Sequence, residues 1–337
     1  MVAVLNRLLG ALGRTLITVG TIVLLFAGYQ LWGTGVDEAN HQEQLTRDLA
    51  TSLGVDAAPS MSATAVDAAI QRKLEAIDPA TAPPMLPPRE ADVVGTISIP
   101  RIGLLDKKFV EGVSKADLRA GPGHYQGTSF PGQAGNSAIA GHRTTYGAPF
   151  NRIDELSPGD QIIVSTRQGR FVYEVVASPE NTRTGEAGDR WGDAWYTVTP
   201  DNVAPIQATP DNRLTLTACH PKYSAKLRIV VTAKLVAEPA ATTPTTAAPE
   251  QEAKGTPNTV ASDEDLIAGD PDELEPALAW GGAFAGLFLV AATVAGVLRR
   301  KTTKAFLPWL VYLVVAAPCA WLLWTCFVHV DRYLPSY

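Results

Sequence analysis

Cysteine and concentrated basic charge are both scarce in this sequence. Three cysteines occur in 337 residues, and Cys319 and Cys326 lie in an apolar C-terminal stretch, where small packing residues are expected. Exported domains usually pair their cysteines, but Cys219 has no second cysteine in the polar part of the chain. The net charge is −6, and no basic face suited to nucleic acid can be read. We therefore expect no disulfide framework, metal, cofactor or nucleic-acid partner.

Three long apolar runs interrupt the polar chain. Each is close to or above the roughly 20 apolar residues that a membrane-spanning helix needs. None carries a charge apart from any on His329. The runs are residues 15–33, 277–298 and 305–330. The sequence therefore predicts three transmembrane helices.

Basic residues set the expected orientation, because short loops rich in Lys and Arg tend to stay in the cytoplasm. Arg7 and Arg14 lie in the N-terminal segment 1–14, and further basic residues fill the loop 299–304. The middle of the chain and the tail 331–337 are therefore expected outside, in a multi-pass protein of the cell membrane. A cleaved signal peptide is the alternative for the first run, but no small-residue cleavage site follows it closely.

Composition divides the middle of the chain into three segments. Residues 34–92 are Ala-rich and polar and end in prolines, which predicts a stalk with some helical composition and an extended end. Residues 238–276 are rich in Thr, Pro, Ala and acids and are expected to form a disordered linker. Residues 93–237, between them, are long enough for one hydrophobic core.

The segment 93–237 has a strand pattern. Short runs rich in β-branched residues, such as VGTISIP, DQIIVST and RLTLTACH, are bounded by Gly, Pro, Asn or Asp. Helical segments are few, and residues 115–120 and 149–156 are the best candidates. This mainly β pattern predicts a closed barrel with short helices.

Cys219 is the candidate for chemistry. It ends the run RLTLTAC, and His220 and Pro221 follow where strand pairing must stop. Catalytic groups are often found at such strand ends. The structural alternative is a buried Cys that packs as a small apolar residue. A nucleophilic thiol needs a base or cation nearby, because the thiolate is the attacking form.

Three histidines are candidates for that base. His142 ranks first because it ends the apolar run NSAIAGH where a strand opens into a loop. His220 ranks second, since neighbours on a strand point to opposite faces. His124, in GPGHYQGT, is interpreted as a turn residue and ranks third. A solvated or capping histidine is the alternative for each.

Arg228 is the candidate cation. It opens the strand RIVVTAKLV directly after the loop HPKYSAKL, so a hairpin would return it to Cys219. A guanidinium fork suits a substrate carbonyl or a developing oxyanion. An exposed strand-end charge is an equal alternative.

The segments TLTACHPKYSAKLR and AGHRTTYGAPF resemble the nucleophile and histidine segments of sortases, in order, context and spacing. The resemblance covers about residues 93–237 and is greatest to class E sortases of actinobacteria. It implies an eight-stranded β-barrel with Cys219 as nucleophile, His142 as acid and base, and Arg228 as stabiliser of substrate and oxyanion. No cofactor is implied.

The resemblance also suggests substrate-binding residues. Ala218 stands where the family often has Thr, whose hydroxyl helps to bind the carbonyl oxygen, so that task would fall to Arg228 and backbone N–H groups. Tyr146 resembles a class E position proposed to influence which sorting signal fits. His220 is assigned to substrate binding with them.

The implied function is that of a membrane-anchored transpeptidase. It would cleave an LPxTG-like or LAxTG-like sorting signal between Thr and Gly in secreted proteins that carry such a signal at their C-terminus. The acceptor would be an amine of a cell-wall precursor, such as a lipid II-like molecule, or a pilin Lys. Two alternatives stay open: another external cell-wall cysteine enzyme, such as an L,D-transpeptidase or NlpC/P60-like peptidase, and a non-enzymatic membrane-tethered binding domain.

Overall fold

The computed structural model describes residues 2–58, 60–179, 192–243, 270–301 and 306–334. The chain divides into two compact units. One comprises Met1–Gly33 with Ala268–Ser336, and the other runs over Thr34–Ile267.

Nine strands form one sheet within the described part of the second unit. They are β1 (Val93–Ile99), β2 (Leu104–Glu111), β3 (Gly123–His124), β4 (Asn136–Ala140), β5 (Gln161–Thr166), β6 (Gly169–Val175), β7 (Trp195–Val198), β8 (Arg213–His220) and β9 (Leu227–Leu235). The order β6-β5-β1-β2-β3-β4-β8-β9 closes through pairing of β9 with β6, and β7 pairs with β9 beyond the ring. The predicted closed eight-stranded barrel is therefore confirmed.

Alternating side chains fill the barrel, because successive residues of a strand face opposite sides. On β8, Leu214, Leu216 and Ala218 belong to the main core cluster. The outer side of the same strand carries Thr215, Thr217 and Cys219. Each fully buried Leu or Ile contributes roughly 1.5–3 kcal/mol. The core therefore fixes which side of β8 presents the cysteine.

Three helices flank the barrel: α2 (Thr34–Ser52), α3 (Ala63–Glu75) and α4 (Lys115–Ala120). Leu49 of α2 and Ile70 and Leu74 of α3 are fully buried, in one cluster with Val93 and Val110 of the barrel. The proline-rich end is also packed, since Met85 belongs to the main core. Residues 34–92 were expected to be a stalk with an extended end, whereas α2, α3 and Met85 within this range pack against the barrel.

Leu49→Ala is expected to destabilise a fragment spanning residues 34–243 by about 2–5 kcal/mol, because the truncation leaves a cavity between α2 and the barrel. Urea denaturation would measure the change. Leu86→Ala is the matched control, since Leu86 is 84% exposed. Equal stability of both variants would mean that α2 is not part of the cooperative fold.

The first unit contains α1 (Val2–Gly28) and two further helices, which we label α5 (Leu274–Lys301) and α6 (Leu307–Tyr333). Among the described residues, three helical stretches are long and apolar enough to cross a membrane: Leu12–Ser52, Pro271–Lys301 and Leu307–Tyr333. Gln30 donates to Asp331 at 2.7 Å, and the rings of Tyr29 and Trp324 meet edge to face at 5.1 Å.

Both remaining cysteines lie on α6. Cys319 is buried, and the Cys326 thiol donates to the carbonyl of Ala277 at 3.5 Å. Most of the predicted linker, residues 244–269, lies outside the described residues. Residues 302–304 of the predicted basic loop also lie outside them.

Candidate active site

Cys219 and Arg228 lie side by side on the outer face of the barrel. Strands β8 and β9 pair antiparallel with Cys219 directly opposite Arg228. Their neighbours Ala218 and Ile229 are also opposite each other and belong to the core. Side chains of directly opposed residues share a face, with Cβ atoms roughly 4.5–5.5 Å apart. The hairpin therefore brings the thiol and the guanidinium to one place, with both side chains partly exposed.

His142 reaches the same end of the sheet from the other side. Strand β4 runs parallel to β8 with Ala140 opposite Thr217, and the N–H of Gly141 donates to the Thr217 carbonyl at 3.0 Å. If this register continued for two more residues, it would set His142 opposite Cys219. A side chain at position 141 would not fit, because its Cβ would lie 2.6 Å from the Phe150 ring.

The loop that follows His142 holds its ring. The Tyr146 ring packs against the imidazole at 5.1 Å between centroids, and the Thr145 hydroxyl lies 3.4 Å from Nδ1. Tyr146 has a left-handed backbone, φ 49°, and its N–H donates to the hydroxyl of Thr34 in α2 at 3.2 Å. The loop closes on itself, since the N–H of Phe150 donates to the His142 carbonyl at 3.1 Å.

Arg228 is steadied by its own hairpin. Its Nη1 donates to the carbonyls of Ala225 at 3.0 Å and Leu227 at 3.3 Å. Strand β7 places Val198 opposite Arg228 on the side away from Cys219. Cys219 and Arg228 thus lie at the ends of β8 and β9, and His142 follows the end of β4, the strand paired with β8. A thiol, an imidazole and a guanidinium in such an arrangement suit nucleophilic acyl transfer.

The sequence matches known proteins of one family. A family model described as the sortase domain matches residues 97–236. Sortase SrtE1 of Streptomyces coelicolor is 32% identical over 241 residues, which are 68% of this chain and 57% of that protein. Two solved structures are each 31% identical. Sortase E from Streptomyces avermitilis has a TM-score of 0.36, with 44% of this chain and 91% of that chain covered. SrtF sortase from Corynebacterium diphtheriae has a TM-score of 0.39, with 51% and 97% covered.

The chain belongs to the sortase family. Curated matches to sortases SrtE1 and SrtE2 of Streptomyces coelicolor confirm the predicted likeness to class E. The chain spans 57% of the length of SrtE1.

The other two histidines of this sortase domain lie in different surroundings. His220 follows Cys219 on β8, and its ring packs against Trp195 at 5.7 Å between centroids. His124 is fully buried in β3, with Nδ1 at 2.7 Å from Glu111 and Nε2 at 3.0 Å from the Ser129 carbonyl. The interpretation of His124 as a turn residue is therefore wrong.

The residues expected to bind substrate lie in different surroundings. Tyr146 is buried against His142, and the Arg119 guanidinium lies 6.0 Å from its ring centroid. Ala218 faces the barrel core rather than the side of Cys219. No group of three or more His, Cys, Asp or Glu side chains in the described ranges is arranged to hold a metal ion.

Sequence reasoning missed Arg143. This residue directly follows His142, yet its side chain is only 1% exposed. Its Nη1 donates to the carbonyl of Cys219 at 3.3 Å, and its Nη2 pairs with Asp154 at 2.9 Å. A charged residue inside the sortase-like segment AGHRTTYGAPF was the available signal.

Proposed function

We propose that this sortase is a membrane-anchored transpeptidase that uses Cys219, His142 and Arg228. It cleaves an LPxTG-like or LAxTG-like sorting signal between Thr and Gly and transfers the substrate protein to an amine. The observation that supports the proposal most is the strand register within a domain that matches the sortase model: Cys219 is paired with Arg228, and the β4–β8 pairing ends two residues before His142.

The first step forms a thioester. The Cys219 thiolate attacks the Thr carbonyl carbon, and the oxyanion that develops accepts hydrogen bonds from Arg228 and backbone N–H groups. The C–N bond to Gly then breaks, and protonated His142 gives its proton to the departing amine. The substrate protein stays bound to the sulfur, and the Gly-containing fragment leaves.

The second step reverses these roles. A primary amine, from a cell-wall precursor peptide or a pilin Lys, attacks the thioester carbonyl. His142, now neutral, accepts the amine proton, and the C–S bond breaks to regenerate the thiolate. The product is an amide between the Thr carboxyl and the acceptor. Water in place of the amine would give hydrolysis instead.

The apolar helices determine on which side of the membrane the reaction takes place. With the basic segments 1–14 and 299–304 in the cytoplasm, the barrel lies outside the membrane. Secreted substrates emerge at that same surface, and tethering raises the effective concentration of enzyme and substrate for each other. The orientation could be tested in intact cells with a membrane-impermeant maleimide, in a variant that carries Cys at position 86 and Ala in place of its three native cysteines.

The direct test uses the full chain in detergent. It is incubated with peptides of LPxTG and LAxTG type, each with and without an amine, and the products are identified by mass. We expect a Thr-amine adduct, and a thioester on Cys219 trapped at low pH. A thiol that is unreactive to iodoacetamide, with no cleavage of either peptide, would instead support a binding domain with an inert cysteine.

Arg228→Lys is expected to lower kcat by about 10²–10³-fold, as loss of an oxyanion-hole donor does. The ammonium keeps the charge but cannot reproduce the planar fork. Steady-state kinetics with the preferred peptide would measure the loss. Lys234→Arg on the same strand is the control, because its side chain is largely exposed. Turnover of Arg228→Lys at the wild-type rate would make Arg228 a surface residue.

A further inference from the structure

Arg143 joins three segments beneath the cysteine. It follows His142 in the chain, and its Nε donates to the carbonyl of Asn151 at 3.0 Å. Its Nη1 lies 3.3 Å from both the Cys219 carbonyl and Nδ1 of His220, and Nη2 pairs with Asp154 at 2.9 Å. One planar side chain thus links the histidine loop, the end of β8 and residues 151–154.

Stability alone does not account for such a residue. Removing a guanidinium from water costs several kcal/mol, and replacing a buried ion pair by apolar groups is often neutral or stabilising. The ion-pair partner, Asp154, is only half-buried, so the pair is not a deeply enclosed one. Nε and Nη1 are instead directed at the main chain on either side of the site.

The position of the bond from Arg143 to the Cys219 carbonyl affects how Cys219 is aligned with His142. The main-chain hydrogen bonds that follow from the pairing of β4 with β8 end with the one from the Gly141 N–H to the Thr217 carbonyl. The Arg143 bond to the Cys219 carbonyl adds a link beyond it, at the level where His142 and Cys219 must meet. Because an Arg N–H can only donate, the contact with His220 makes Nδ1 of that ring the acceptor.

We propose that Arg143 is a positioning residue, which sets the distance between the Cys219 thiol and the His142 ring through the main chain of β8. The inference rests on the proposed function. A positioning residue changes the rate of reaction in each folded molecule. A purely structural residue changes only the fraction of molecules that are folded. A misplacement of about 1 Å can cost 10²-fold in rate.

The test compares Arg143→Gln and Arg143→Lys with Arg152→Gln. Arg152 is the matched control, since it lies in the same region but its guanidinium pairs with exposed Glu155 and donates to the carbonyl of Ile102. Intact thiols are first counted by alkylation of Cys219, and kcat and KM are then expressed per titrated thiol. We expect Arg143→Gln to lose about 10–100-fold in kcat with KM within about twofold.

If Arg143→Gln does not fold, Arg143→Lys still tests the proposal, because Lys keeps the positive charge but lacks the planar guanidinium. We expect it to retain a kcat between those of the wild type and Arg143→Gln, with at least about a fivefold loss. Wild-type kcat per titrated thiol in the Lys variant, or in a folded Gln variant, would overturn the inference even if the melting temperature fell. Transfer by the wild type and Arg152→Gln in the same assay would leave the proposed function standing, whereas an inactive wild type would reject both.

Discussion

Cys219→Ala is expected to abolish cleavage and transfer, with a loss of at least about 10⁴-fold, because no other group can form the thioester. The barrel should survive the change. Cys219 is partly exposed at a strand end, and substitutions at such sites usually alter stability by about 0.5 kcal/mol or less. Product analysis by mass and thermal melting of the same sample would measure both effects.

Cys326→Ala is the matched control for that experiment. It removes a thiol from helix α6 and should leave turnover unchanged. Activity retained by Cys219→Ala would move the nucleophile elsewhere. A loss of activity that accompanies unfolding would be uninformative about chemistry, so Cys219→Ser, which keeps the side chain's shape, is measured in parallel.

His142→Ala is expected to lower kcat by about 10²–10⁴-fold, the range that general acid–base catalysis contributes. The same enzyme must protonate the leaving amine and deprotonate the incoming one, so both cleavage and transfer should fall. The pH–rate profile of the remaining activity should also lose the limb that His142 provides. Steady-state rates from pH 5 to pH 9 would measure this.

The other barrel histidines serve as controls of the same residue type. His220→Ala should retain most of the wild-type kcat, because alternation along β8 directs that ring away from the face of Cys219. His124→Ala should lower stability more than rate, since the ring is buried against Glu111. A variant series in which His220→Ala alone was inactive would show that the base had been assigned to the wrong residue.

The hairpin at the site could be predicted because it is local. Cys219 and Arg228 are separated by a short loop, and an antiparallel hairpin brings such neighbours together by geometry alone. The strand pattern also predicted the barrel correctly. Uncharged runs were enough to predict the apolar helices, since length and composition decide that property.

Other features depended on distant pairings that no local pattern reveals. The parallel pairing of β4 with β8 joins segments far apart in the sequence, and its register sets the place of His142. Helix α2 appeared too polar to belong to a core, because only a few of its residues, such as Leu49, face the barrel. Arg143 was missed for a similar reason: its burial is created by segments 151–154 and 219–220, which are distant from it in the sequence.

A hydrogen bond connects the histidine loop to the first residue of the barrel unit. Thr34 is the first residue of α2, and its hydroxyl receives the hydrogen bond of the Tyr146 N–H. A pulling force that enters the barrel unit at its first residue therefore acts on the backbone that carries the Tyr146 ring, as well as on β2, to which Glu38 and Gln42 of α2 are bonded. Because the His142 imidazole packs on the Tyr146 ring, a load at the N-terminal end is coupled mechanically to the histidine.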